Sequence, residues 1–242
     1  MRRFVLAFCL ILCLAGQAHA AIYRAASDVW WPPFEYANDN GEIVGYSIDY
    51  LQAVADASGL DVIHLGVPWD GIFLRLRSGE YDIIASSVSA TEERRLLMDF
   101  STPYLKTTQQ LVVSVDNQAS SLAAMPGLVF AVRTGSTGQK AINAHRGVTT
   151  KLVDDITDGF DALANGTING VICDEHVANY FMKDDRYRDK IKAAPFSVTD
   201  QAEFYVFVVR KGNKRLLQSI NKGIEKVQQE KRDIELRRKW LE

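Results

Sequence analysis

Cysteine is scarce in this chain. Three occur in 242 residues, and two of them, Cys9 and Cys13, fall within the first 20. Beyond that point only Cys173 remains, so an exported form has no intrachain disulfide and must be held together by its core. An excess of positive charge is lacking as well. The 28 lysines and arginines face 30 acidic residues, and no basic stripe invites nucleic acid. The later histidines, His64, His145 and His176, are too scattered to suggest a metal site, and nothing implies a cofactor. The apolar run near the start, FVLAFCLILCLAG, is too short to cross a bilayer, because a span needs about 20 residues.

That run has another reading. Arg2 and Arg3 precede it, and AHA at 18–20 places small residues where a signal peptidase would cut. The pattern predicts a secretory signal over 1–20, cleaved after Ala20, and a periplasmic mature protein. Cys13 follows leucine inside the run, which argues against a lipoprotein. Loss of the two arginines takes the net charge from −2 to −4. The rest of the composition, 47% hydrophobic and 24% charged over the whole chain, suits one large domain or two small ones.

Apolar periodicity predicts an alternation of strands and helices. IYRAASD reads as a strand, VWWPPFEY as a loop, and GYSIDYLQAVADASG as an amphipathic helix carrying Ile48, Leu51, Val54 and Ala55 on one face and stopping at Gly59. DVIHLGV, GIFLRLRSG and DIIASSV continue as strand, helix and strand, followed by the apolar run QQLVVSV. After Pro126 and Gly127 the alternation restarts with LVFAVR, STGQKAINAH, TKLVDD, GFDALANG and GVICDE. The tail EFYVFVVRKGN reads as a strand returning to the first half, with a helix behind it bearing Leu216, Leu217, Ile220, Ile224 and Val227. The final RRKWL reads as a solvated helix end with Trp240 packed down. Two doubly wound α/β lobes follow, the first from 21–109 and 204–242, the second from 110–203.

An internal echo supports the division. LRSGEYDIIASS at 76–87 matches LANGTINGVICD at 163–174 with a constant offset, so Gly79 falls on Gly166, Asp82 on Asn169 and Ser87 on Asp174. Ser87 and Asp174 then sit at the carboxyl ends of equivalent strands, where open α/β sheets place ligands.

Several residues around these ends carry chemistry. Thr91 is a plausible N-cap for TEERR, with Glu92 and Glu93 suited to the positive helix end. Arg94 opposes that dipole and needs another reason to be there. A carboxylate ligand gripped by two parallel hydrogen bonds is one, and a surface pair with Glu92, Glu93 or Asp99 is the other. Ser87 and Ser89 share a side if the strand continues, and either reach the same carboxylate or cap the turn. The loop RTGST at 133–137 offers backbone donors at a helix start, without the spacing of a P-loop. Asp174, at the end of an apolar strand, needs a cationic partner, which a ligand ammonium or Arg133 could be. Trp30, Trp31, Phe34 and Trp69 supply flat apolar surface at strand ends, to line a pocket or fill a core. Arginine, hydroxyls, an opposing aspartate and aromatic walls together describe a receptor for an amino acid zwitterion.

The chain resembles the periplasmic amino-acid-binding proteins of ATP-binding-cassette importers, the polar amino acid family. The resemblance rests on WWPPFEYANDNGEIVGYSIDYL, SGEYDIIASSVSATEERRLLMDFSTPYL, VRTGST, GTINGVICDE and the terminal KW, and it covers the chain after residue 20. It implies a type II periplasmic binding protein, a monomer of two lobes joined by hinge strands, closing over one ligand and serving a membrane permease. It implies further that Arg94, Ser89 and Ser87, joined by Thr137, hold the α-carboxylate and that Asp174 holds the α-ammonium. Trp31 and Trp69 fall on the positions that sandwich the side chain, usually phenylalanine or tyrosine. Asp28 and Arg133 fall where side-chain selectivity is often set. The resemblance extends to cyclohexadienyl dehydratases, for which Glu175 and His176 would supply a proton donor, and a sensory receptor is a third expectation.

Overall fold

The computed structural model describes residues 21–125 and 127–242; the signal expected over 1–20 lies outside the described residues, as does Pro126. The first half runs β1 (Ile22–Ser27), β2 (Trp30–Trp31), β3 (Glu35–Ala37), β4 (Ile43–Val44), α1 (Tyr46–Ser58), β5 (Asp61–Gly66), α2 (Ile72–Ser78), β6 (Ile83–Ser89), α3 (Glu92–Leu97), β7 (Met98–Phe100) and β8 (Leu105–Thr107). Then come β9 (Gln109–Ser114), β10 (Val129–Arg133), α4 (Thr137–Asn143), β11 (Thr149–Val153), α5 (Ile156–Ala164), β12 (Gly170–Asp174), α6 (Glu175–Lys183) and β13 (Ile191–Ala193). The chain ends with β14 (Glu203–Arg210), α7 (Lys214–Gln229) and α8 (Arg232–Trp240).

The helices are set by buried faces and capped ends. Ile48, Leu51, Val54 and Ala55 of α1 are all buried, and Gly59 stops the helix in the left-handed region at φ 68°. On α7, Leu216, Ile220, Ile224 and Val227 are buried and Leu217 partly so. Trp240 is partly buried against the same core and donates its indole N–H to Asp49 at 2.8 Å.

The strands form two main sheets, one in each lobe. The first has the order β5-β1-β6-β14-β7, with β8 also on β14; the second is β11-β10-β12-β9-β13. In each, three parallel strands are followed by an antiparallel one that the chain has brought from elsewhere. Between β8 and β9 the chain passes from one sheet to the other through Thr108 alone, and it returns between Ala193 and Glu203.

The echo has a physical counterpart. Asp82 accepts from Arg24 N–H through its side chain at 3.0 Å and donates its own N–H to Arg24 O at 2.9 Å. Asn169 does the same to Val129, at 2.9 and 2.8 Å. Gly79 and Gly166, which close the preceding helical turns, both lie at positive φ. The two segments therefore fasten the last parallel strand of each sheet to its neighbour by the same device.

The segment VWWPPFEY, expected as a loop, is instead part of a small antiparallel sheet, β2-β3-β4. Strands of two or three residues are too short to show a period in sequence. Phe34 is fully buried and Trp31 nearly so, whereas Trp30 is 51% exposed and turns away from both.

Candidate functional site

Five of the functional side chains stand at the carboxyl end of a parallel strand or just beyond it. Asp28 follows β1, Trp69 follows β5, Ser89 ends β6, Arg133 ends β10 and Asp174 ends β12. Because the two sheets present these ends to one another, residues far apart in sequence line one cavity. Asp28, Trp31, Trp69, Ser87, Ser89, Arg94, Arg133, Thr137 and Asp174 all reach it, together with Glu35, Ser86 and Ser136.

Thr91 caps α3 by accepting from Arg94 N–H at 3.2 Å, which fixes where the arginine leaves the helix. The guanidinium lies over Phe73, 4.9 Å from the ring centre, and 5.6 Å from that of Trp69. It donates to Ser89 O at 3.0 Å and, across the cleft, to Gly135 O at 3.3 Å. It makes no ion pair among the described residues; the surface pair with Glu92 belongs to Arg95, at 3.5 Å. Its charge is directed into the cavity with carbonyl oxygens alone as partners.

Ser87 has φ 46°, a region that costs a residue with a Cβ, and β6 is irregular there: its pairing with β14 skips from Val88 to Ile84. The simple alternation expected of Ser87 and Ser89 is therefore broken. Ser87 Oγ donates to Glu35 at 2.8 Å and lies 3.2 Å from Ser47 Oγ, whereas Ser89 Oγ donates to Glu203. Thr137 Oγ1 donates to the same Glu203 oxygen at 2.7 Å. Glu203, at the start of β14, thus joins a hydroxyl from each lobe.

Asp174 is 5% exposed. It accepts from Trp31 Nε1–H at 3.1 Å and from Gln109 Nε2–H at 2.8 Å, and no cation pairs with it among the described residues. Burial raises its carboxyl to about 7, with the nearby negative charge of Glu203 adding to the shift. Beyond Trp31 lies an ion pair between Arg133 and Asp28, both buried, with the guanidinium 5.5 Å from the Trp31 ring centre. Burial outweighs that arginine and lifts Asp28 to about 6.

Sequence reasoning missed Glu35, Gln109 and Glu203. Glu35 is fully enclosed and its carboxyl is pushed well above the usual range by burial. Its signal was a glutamate inside the aromatic run PPFEY; Gln109 and Glu203 had none beyond opening a strand. Glu175 and His176, the expected proton donors of a dehydratase, do not line the cavity. Among the described residues no cluster of His, Cys, Asp or Glu could hold a metal ion, and no helix is long and apolar enough to cross a membrane.

This geometry, two α/β lobes around a polar cleft lined by an arginine and an aspartate, is that of a two-lobed solute receptor. The chain belongs to the bacterial extracellular solute-binding proteins, family 3, whose profile matches residues 23–242. It is similar to a probable histidine-binding protein of Neisseria gonorrhoeae, 28% identical over 86% of this chain and 78% of that one. It is also similar to ABC transporter arginine-binding protein 1 of Escherichia coli K12, 29% identical over 93% and 92%. Among solved structures, an ancestral arginine-binding protein bound to arginine superposes with a TM-score of 0.85 at 31% identity, covering 93% of this chain and all of that one. The ancestral amino-acid-binding protein AncCDT-1, a precursor of cyclohexadienyl dehydratase, superposes at 0.84 with 26% identity, over 91% and 96%. The relatives named here are binding proteins.

Proposed function

We propose that the chain is a periplasmic receptor that captures a polar amino acid by its carboxylate and ammonium groups and delivers it to the permease of an ABC importer. One observation carries this reading: the cavity is lined by an arginine without an anionic partner and by a buried carboxylate without a cationic partner among the described residues. A zwitterion satisfies both at once, and any singly charged solute leaves one of them bare.

In this reading the ligand carboxylate meets the Arg94 fork and the hydroxyls of Ser89 and Thr137, taking the latter from Glu203, with Ser87 behind them. The ligand ammonium meets Asp174, already held in place by Trp31 and Gln109. Trp31 and Trp69 flank the side chain. The lobes close by hinging at the two crossings, at Thr108 and between Ala193 and Glu203. The protein works as a monomer, without a metal or cofactor, after a signal peptide is removed at Ala20.

The direct test is a thermal-shift screen of the refolded chain from Ala21 against the common amino acids. A concentration-dependent rise in melting temperature with at least one of them is expected. No rise with any of them at millimolar concentration refutes the reading. The dehydratase alternative predicts instead that prephenate or arogenate is consumed in an absorbance assay. The position of Glu175 and His176 outside the cavity favours the receptor.

A further inference from the structure

Where the two crossings between the lobes lie side by side, one carboxylate joins the lobes. Glu203 opens β14 directly after the return crossing and is paired across the sheet with Thr107, the residue before the outward crossing at Thr108. From there its Oε2 accepts from Ser89 Oγ in the first lobe and from Thr137 Oγ1 in the second, the latter at 2.7 Å. A hydroxyl has one hydrogen to give. Thr137 Oγ1 accepts in turn from Gln109 Nε2–H at 3.3 Å, so Gln109 fills its acceptor side and Glu203 takes its hydrogen. Ser89 and Thr137 line both the ligand cavity and the groove outside it, whereas Glu203 lines the groove and not the cavity. Burial disfavours the charge of Arg94, and of the acidic side chains that offset this Glu203 contributes most.

We propose that Glu203 is a latch that rivals the ligand carboxylate for Ser89 and Thr137 and holds the two lobes together in the ligand's place. The inference rests on the receptor reading above and deepens it, because it concerns the same two hydroxyls. An α-carboxylate in the cavity approaches them from the side opposite Glu203 and needs the same two hydrogens. It gains them only when they turn away from Glu203, which then gives up two charge-assisted hydrogen bonds. The net gain on capture is the difference between two sets of similar bonds. Glu203 also sets its own negative charge behind those hydroxyls, where it repels the arriving carboxylate. Because one partner of the latch lies in each lobe, the latch favours closure without a ligand. A receptor that is latched for part of the time offers the ligand only the remaining fraction, and its apparent affinity falls accordingly. The Arg94 fork stays available throughout, since it makes no ion pair with Glu203 among the described residues. Glu203 therefore lowers affinity without blocking the site.

The test is isothermal titration calorimetry with the common L-amino acids on refolded chains from Ala21: the native sequence, Glu203→Ala and Glu203→Gln, each checked for folding by its melting curve. Small-angle X-ray scattering on the same chains without amino acid reads how closely the lobes are held. For the amino acid that the native chain binds most tightly, Glu203→Ala is expected to bind about threefold or more tighter. Glu203→Gln keeps the shape but not the charge, and should lie between the two. The radius of gyration of Glu203→Ala without amino acid is expected to exceed that of the native chain, and saturation with the amino acid to remove the difference. A Glu203→Ala affinity no tighter than native, or an unchanged radius of gyration, overturns the inference and leaves the receptor reading standing. If Glu203→Ala does not fold, the same two readouts on Glu203→Gln decide in the same way. No binding by any amino acid to the native chain overturns the receptor reading, and the inference with it.

Discussion

Removing the Arg94 guanidinium is the perturbation whose size follows most directly from the structure. The group rests on Phe73 and Trp69, is aimed by the Thr91 cap, and spends its hydrogen bonds on two carbonyl oxygens. No anion pairs with it among the described residues, so its charge is free for a ligand. Truncating one partner of a buried, hydrogen-bonded charge pair costs about 2 to 5 kcal/mol. At about 1.4 kcal/mol per decade, Arg94→Ala should weaken amino acid binding by between roughly 30-fold and a few thousandfold. Arg94→Lys keeps the charge but not the fork, and should fall between the variant and the native protein. Helix α3 has no buried residues, so the melting temperature of the ligand-free protein should change little. Calorimetry on the three proteins checks the series. An Arg94→Ala affinity within threefold of the native value would place the carboxylate elsewhere and refute the reasoning.

Binding should also depend on pH through Asp174. Its folded-state carboxyl is raised to about 7 from an ordinary 3.8, so its own contribution to the stability of the ligand-free protein falls as pH rises from about 4 to 7 and stays level above that. A ligand ammonium needs the ionised form, so affinity should fall as pH drops below 7 and binding at pH 6 should release protons. Calorimetry in two buffers of different ionisation enthalpy reads this, and affinity that is flat from pH 5 to 8 would contradict it. In the first lobe, an added Cβ at Gly223 of α7 would lie 2.5 Å from Val54 O of α1. Gly223→Ala should therefore force the two helices apart at a cost of about 1 to 3 kcal/mol, partly offset by about 1 kcal/mol of helix propensity. A melting temperature above the native value would show that the contact is not tight. Trp31→Phe keeps an aromatic wall but removes a donor to Asp174; ligand affinity should fall severalfold, and an unchanged affinity would separate Trp31 from the ammonium end.

What the sequence revealed of the fold was its local part. The helical faces of α1 and α7 could be read from spacing, and the echo located Asp82 and Asn169, whose side chains make equivalent hydrogen bonds. The Thr91 cap was legible because capping is decided within four residues. Amphipathic α6 went unnoticed although Val177, Ala178 and Phe181 carry the helical period. The site was less complete, for a physical reason. Glu203 reaches Ser89 across 114 residues because β14 inserts antiparallel beside β6, and Gln109 reaches Asp174 because β9 does the same beside β12. Such pairings leave no local signal, since the partner residues owe their position to the sheet and not to their neighbours in the chain. The bend at Ser87 was hidden likewise, because a positive φ at serine is imposed by surrounding structure.

The central claim is that this chain holds a zwitterion by both of its charges. The amino acid giving the largest thermal shift should be titrated beside its N-acetyl derivative and its C-terminal amide, which remove the ammonium and the carboxylate one at a time. The account predicts that each derivative loses at least tenfold in affinity, the first through Asp174 and the second through Arg94. Native-like binding of either derivative would contradict it.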